Sequence, residues 1–165
     1  MSHPSVRAQV VGLVGWLLLC FAAAAVGGIA SANAGDFYRQ LDRPGWAPPG
    51  WLFGPVWTVL YTLQGIAAWL VWRERDAGTR RIALTAFVAQ LAVNALWSWL
   101  FFAWRQGGLS FAEVVLLLVM VGVTVGLFWR IRTLAGVLLL PYLGWVSFAT
   151  ALTYAIWQRN PELLG

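Results

Sequence analysis

The sequence predicts an all-α membrane protein, a single domain folded as a five-helix transmembrane bundle. Three observations predict it. Of 165 residues, 61% are hydrophobic and only 10% charged, too few charges to cover a soluble domain of this size. Five apolar runs approach or exceed the roughly 20 residues a helix needs to cross a bilayer. None of the runs alternates in polarity as a barrel strand does, so the backbone must satisfy its hydrogen bonds within helices.

The first span covers about 9–32 and is rich in Ala and Gly. Arg7 ahead of it and the small residues at Ala30–Ala34 look like a signal peptide, but the run is too long for a signal core, so it reads as a retained span. Residues 33–50, with Asn33, Gly35, Asp36, Pro44, Pro48 and Pro49, read as a loop. The second span is about 51–72. Its Pro55 falls in the first turn, where a missing N–H costs little. A charged turn from Arg73-Glu74-Arg75-Asp76 to Arg80 and Arg81 leads to the third span, about 82–104. Arg105-Gln106-Gly107-Gly108 is a tight turn before the fourth span, about 109–129. Arg130-Ile131-Arg132-Thr133 precedes the fifth, about 134–157, in which Pro141 is expected to make a kink. Short turns make sequential spans antiparallel. The tail Arg159–Gly165 is too short to fold alone.

The formal charge is +5, and all eleven basic residues are Arg. They sit singly or in pairs between apolar runs, without interleaved aromatics, which argues for topology signals and against nucleic-acid binding. Arg7, Arg73, Arg75, Arg80, Arg81, Arg130 and Arg132 share the N-terminal side, against Arg39, Arg43, Arg105 and Arg159 on the other. That imbalance places the N-terminus inside and the first loop outside. The expected location is a bacterial cell membrane, with an outer membrane as the alternative. The lone Cys20 forms no intramolecular disulfide or metal cluster.

Twelve tryptophans dominate the composition. Trp46, Trp51, Trp72, Trp104, Trp129 and Trp157 lie near span ends, as an interfacial belt requires. Trp97 and Trp145 fall well inside their spans and need another reason. Helical spacing gives one. Tyr142, Trp145, Ala149, Leu152 and Ile156 share one face of the fifth span, Gln90, Asn94, Trp97 and Phe101 one face of the third, and Trp57, Tyr61, Gln64 and Ala68 one face of the second. The three amides would be costly against lipid, so these faces should point inward. They either pack as an aromatic core with polar glue or line a cavity for a flat apolar ligand.

One stretch is more specific. Residues 41–61 contain Pro44-x-Trp46-x-Pro48-Pro49-x-Trp51 and then Pro55-x-Trp57-x-x-Leu60-Tyr61. Further on come Gln90-x-x-x-Asn94-x-x-Trp97 with Phe101-Phe102, and Pro141-Tyr142-x-x-Trp145 with Leu152-x-Tyr154-x-x-Trp157. In this order, over nearly the whole chain, the motifs resemble the translocator protein family, also called tryptophan-rich sensory proteins. The resemblance implies a five-helix fold, often a homodimer joined through the third span, with a pocket opening near the first loop. It also implies porphyrins, haem-like tetrapyrroles, sterols and benzodiazepine-type drugs as ligands, with no cofactor required. By position, that family's pocket falls on Trp51, Asn94, Trp97, Ala112, Leu116, Trp145, Ala149 and Leu152. Tyr142, on the fifth-span stripe, joins them as a candidate ligand-binding residue. Thr153, Gln158 and Leu109 depart from the family's pattern, which bears on ligand preference. Leu152, Tyr154 and Arg159 fit a cholesterol-consensus pattern, a weak one that also describes a helix end with an interfacial Tyr and Arg.

The reading of function that follows is a receptor or regulator, with a porphyrin ring stacked near Trp51, Trp97 and Trp145 and a polar contact donated by Asn94. Arg39 and Arg43 on the first loop would meet propionates. Two alternatives are a transporter and a light- or oxygen-dependent porphyrin-degrading enzyme with Trp51 and Trp145 as electron donors. Five helices do not divide into equal repeats, and only Pro141 hints at a broken helix. No acid–base pair or metal site supports the enzyme. His3, Cys20 and Met120 are scattered, so no axial ligand to haem iron is expected. Ser110 and Glu113 have capping-box spacing, so Glu113 is expected to cap the fourth span or meet Arg105. Gly122 and Gly126, and Ala23, Gly27 and Gly28, offer close-packing faces.

Overall fold

The structure, a computed structural model, describes residues 4–75 and 77–165; His3 lies outside them. Among the described residues there are seven α-helices and no strand: α1 (Val6–Ala30), α2 (Ala34–Gln40), α3 (Phe53–Trp72), α4 (Ala77–Ser98), α5 (Gly107–Ile131), α6 (Thr133–Arg159) and α7 (Pro161–Leu164). A 3-10 turn over Gly50–Leu52 leads into α3, and a π-helical segment over Trp99–Ala103 prolongs α4. Five helical stretches are long and apolar enough to cross a membrane: Val6–Ala30, Gly50–Trp72, Gly78–Ala103, Gly107–Ile131 and Thr133–Arg159. Each overlaps its sequence-based span to within a few residues. Pro141 lies inside α6, which continues as a helix through it.

Two helices were not expected. The first loop contains α2, and the tail contains α7. Both are too short to be stable alone and are held by burial. Phe37, Tyr38 and Leu164 are each at most 4% exposed. Phe37 packs edge-on against Phe101 at 6.0 Å, and the Tyr38 hydroxyl donates to the Pro48 carbonyl at 2.7 Å.

The spans form a ring. α1 packs against α3 and α4, α3 against α6, α6 against α5, and α5 back against α4. Without a hydrophobic force between helices in lipid, small residues let them approach. A Cβ at Gly65 of α3 would stand 3.2 Å from the Leu17 Cα of α1. One at Gly27 of α1 would stand 3.2 Å from the Ser98 Oγ of α4. A Cβ added at Gly122 or Gly126 would meet nothing within 4 Å, so this glycine pair is not required for close packing within the bundle.

The half of the bundle away from the first loop holds a packed aromatic and aliphatic core. Phe87 stacks on Phe128 at 5.6 Å, with Trp16 edge-on to Phe87 at 6.0 Å, among buried Val71, Val121 and Leu139. Its end gathers Arg73, Arg75, Arg130 and Arg132 around Glu74, with Arg132 3.6 Å from the Glu74 carboxylate.

The start of α5 corrects an expectation. The N-cap is Gln106, with no side-chain cap bond. Gly107 and Gly108 begin the helix early because they tuck beneath the Trp157 ring. Ser110 is therefore already inside the helix and donates to the Gln106 carbonyl at 2.6 Å. Glu113 caps nothing. It is 9% exposed, and neither carboxyl oxygen has a hydrogen-bond partner among the described residues. Nor does Arg105 serve it, since that guanidinium lies 4.4 Å above the Phe37 ring.

Candidate functional site

The half of the bundle under the first loop is hollow. A cavity of about 430 Å³ is bounded by all five spans and by α2. The inward stripes read from helical spacing build it. On α3, Phe53, Trp57 and Tyr61 descend one wall; on α4 and its π-helical end, Phe101, Trp97 and Asn94 descend another. Trp145, Ala149 and Leu152 form the α6 wall, and Val114 and Leu117 the α5 wall. Gly35 and Tyr38 of α2 cover it from the loop side. The remaining wall is α1, which contributes Ala24, Gly27, Gly28 and Ser31, residues too small to fill the space.

The rings brace one another. Trp97 stacks on Phe101 at 5.0 Å and 10°. Trp145 lies edge-on to Phe53 at 5.8 Å and to Trp57 at 6.3 Å. The π-helical turn, closed by the Trp104 N–H on the Trp99 carbonyl at 2.8 Å, adds a residue per turn and brings both Phe101 and Phe102 to the cavity wall. The Trp97 indole N–H is buried and has no partner among the described residues.

The floor is polar. Asn94 Nδ2 donates to the Tyr142 hydroxyl at 2.8 Å and to the Tyr61 hydroxyl at 3.2 Å. Tyr142 donates to Gln90 Oε1 at 2.9 Å, and Gln90 Nε2 to Gln64 Oε1 at 3.1 Å. The amides that would be costly in lipid thus find partners in one another and in two tyrosine hydroxyls inside the bundle, all but Gln64 Nε2.

Residues 16–158 match a sequence model of the TspO/MBR family. The chain belongs to that family. It is similar to the human translocator protein, at 36% identity over 126 residues and 75% of each chain. It is also similar to the tryptophan-rich protein TspO of Archaeoglobus fulgidus, at 36% over 153 residues, 92% of this chain and 99% of the relative. A third relative is protein CrtK of Rhodobacter capsulatus, at 36% over 149 residues, 88% of this chain and 91% of the other.

The residues carried over from the TspO/MBR pattern divide into two groups. Asn94, Trp97, Trp145, Ala149 and Leu152 line the cavity, and Tyr142 is buried just behind Asn94. Trp51, Ala112 and Leu116 are not on the wall. Trp51 is 73% exposed beyond the loop. Ala112 and Leu116 are exposed on the outer face of α5, one helical turn apart, whereas the inner face of this stretch carries Val114 and Leu117. Of the pair considered for porphyrin photochemistry, Trp145 is on the wall and Trp51 is outside it. Arg39 pairs with Asp36 at 3.0 Å and donates to the carbonyl of Gly35 at 3.2 Å, so it lies beside a cavity residue. Arg43 lies over the Tyr38 ring at 4.5 Å. The sterol-pattern residues diverge. Leu152 faces the cavity, Tyr154 is half exposed against Phe111, and Arg159 lies 3.8 Å from Asp42.

Sequence reasoning did not name Phe53 or the α1 wall as part of the site. A signal for α1 was present: Ala24, Gly27, Gly28 and Ser31 recur at helical steps of three and four. Small residues speak equally for close packing and for open space, and only the neighbours decide. A Cβ at Gly27 would meet Ser98; one at Gly28 would meet nothing within 4 Å.

Proposed function

We propose that this protein is a membrane receptor that binds porphyrins and similar flat apolar ligands in the cavity beneath its first loop. The observation that carries this reading is the meeting of Trp57, Trp97 and Trp145, from three different helices, around one hollow of about 430 Å³. Ligand sites commonly enclose roughly 300–1,000 Å³, with apolar walls and a few polar groups. Each ring stacked on an indole would add about 0.5–1.5 kcal/mol beyond area burial. Sterols and benzodiazepine-type molecules share the flat apolar shape and belong to the same proposed ligand class. Arg39, beside Gly35, and Arg43, over Tyr38, are cations next to cavity residues that would meet a propionate. The N-terminus is read as inside, because seven of the eleven Arg lie on its side of the bundle.

The test is titration of protoporphyrin IX against the tryptophan fluorescence of purified protein in lipid nanodiscs. Wild type should be quenched to saturation. The double variant Trp97→Phe, Trp145→Phe should bind about fivefold to tenfold more weakly. An unquenched wild type, or a double variant with unchanged affinity, defeats the proposal.

A further inference from the structure

Beneath the cavity, Gln64, Gln90, Tyr142, Asn94 and Tyr61 form one continuous chain of hydrogen bonds contributed by α3, α4 and α6. In the direction described above, both hydrogens of Asn94 Nδ2 are committed to tyrosine hydroxyls. Asn94 Oδ1 is left outside the chain, on a residue that lines the cavity. At the far end Gln64 Nε2 is buried, with no partner among the described residues.

Every link is reversible. A primary amide turned through a half circle exchanges its donor and acceptor within nearly the same outline, and a hydroxyl both donates and accepts. With all three amides turned, Gln64 donates to Gln90, Gln90 to Tyr142, and Tyr142 and Tyr61 to Asn94 Oδ1. The heavy-atom separations are those already present. Asn94 then presents Nδ2 to the cavity, and the unpaired atom at the far end becomes Gln64 Oε1. A partial reversal sets two donors or two acceptors face to face or, when only Gln64 and Gln90 turn, leaves the buried Tyr142 O–H without an acceptor, so turning as a unit is favoured. Both directions leave one Gln64 atom unpaired, so neither is fixed by its count of bonds.

We propose that this chain is a reversible polarity relay. The floor of the cavity accepts a hydrogen bond from a flat ligand bearing N–H or O–H, and donates one to a flat ligand bearing a carbonyl. The ligand selects the direction by its differential affinity for the two. Gln90 and Gln64 do not line the cavity, so they act as positioning residues for Asn94 through Tyr142. The inference rests on the proposed ligand site and specifies which ligands it takes.

The probes are three tricyclic molecules of one shape: fluorene with no polar group, carbazole with an N–H, and fluorenone with a carbonyl. Binding is measured by equilibrium dialysis of protein in detergent micelles against protein-free micelles. Wild type should hold carbazole and fluorenone each more tightly than fluorene. Gln90→Met removes the acceptor for Tyr142, whose hydroxyl then turns to Asn94 Oδ1 and leaves Nδ2 facing the cavity. The preference should move about tenfold toward fluorenone. Gln90→Glu, assayed from about pH 6 to 9, accepts from both Tyr142 and Gln64 once ionised, fixes the opposite direction, and should then move the preference about tenfold toward carbazole. Both shifts should vanish in a Tyr142→Phe background, which a mere packing effect would not do. The relay is overturned if neither Gln90 variant changes the carbazole-to-fluorenone ratio while binding persists. It is equally overturned if wild type favours only one polar probe over fluorene. Failure of wild type to hold any of the three removes the cavity as a ligand site, a result separable from failure of the relay.

Discussion

Asn160 and Asp42 exchange two hydrogen bonds across 118 positions of sequence. Asn160 Oδ1 accepts from the Asp42 N–H at 2.8 Å, and Asn160 Nδ2 donates to the Asp42 carbonyl at 2.9 Å. The same Nδ2 also donates to the Ile156 carbonyl at 2.8 Å, and the residue is only 7% exposed. One side chain at the end of α6 thus does for the first loop what a strand partner would do, occupying both backbone groups of a residue outside any helix. Asn160→Ala should destabilise the fold by about 1–3 kcal/mol, because it leaves both Asp42 backbone groups without their partner. Thermal unfolding in detergent and faster protease cleavage between residues 33 and 50 would register it. Arg159→Gln should cost less than about 1 kcal/mol, since that pair is solvent-exposed and 3.8 Å apart. Equal losses in the two variants would show that the clamp is not the amide.

The two faces of α5 and α6 give a second expectation. Ala149 lines the cavity, whereas Leu116 is 53% exposed on the outside of the bundle. Ala149→Phe puts a ring into the space proposed for the ligand and should weaken porphyrin binding at least about tenfold without lowering the unfolding temperature. Leu116→Phe should leave affinity as it is. A porphyrin titration on the two variants decides the matter, and the reverse ranking would place the ligand outside the bundle.

Glu113 is a buried carboxyl without a hydrogen-bond partner among the described residues. Burying a polar group without compensation costs about 1–3 kcal/mol on the scale of protein mutations. Glu113→Leu, of similar length, should therefore raise stability by about that amount. The measurement is the unfolding midpoint of purified protein in one detergent. A lowered midpoint would mean that the carboxyl is held by something the side-chain contacts do not contain.

Tyr38 predicts a pH dependence at the loop. Burial pushes its hydroxyl above the ordinary value of 10, and the neighbouring Arg43 opposes the shift only in part. The protonated form is therefore favoured in the folded state. Its contribution is fully present below pH 10 and is lost as pH rises through the folded value. The stability advantage of wild type over Tyr38→Phe, about 1 kcal/mol from the bond to Pro48, should accordingly shrink above pH 10. Unfolding midpoints of the two proteins from pH 8 to about 11.5 check this; a constant difference would contradict it.

Much of the architecture was legible in the sequence. Composition and run length specify five spanning helices, because a bilayer leaves the backbone no other partner than itself. Helical spacing specifies the inward faces of α3 and α4, because Gln64, Gln90 and Asn94 are too costly against lipid to face anywhere else. The motifs specify the family. Those are local or one-dimensional properties, readable along a single chain.

What only the tertiary structure decided is which inward residues touch each other and which surround space. The phase of α5 could not be carried over by position, so Ala112 and Leu116 face out while Val114 and Leu117 face in. Ser110 and Glu113 have the spacing of a cap, but Gly107 and Gly108 slide under Trp157 and start the helix sooner. Trp57, Trp97 and Trp145 are indistinguishable in sequence from a packed aromatic core. They border a cavity whose α1 wall carries glycine and alanine, and that combination of large rings with small side chains is a relation between distant segments.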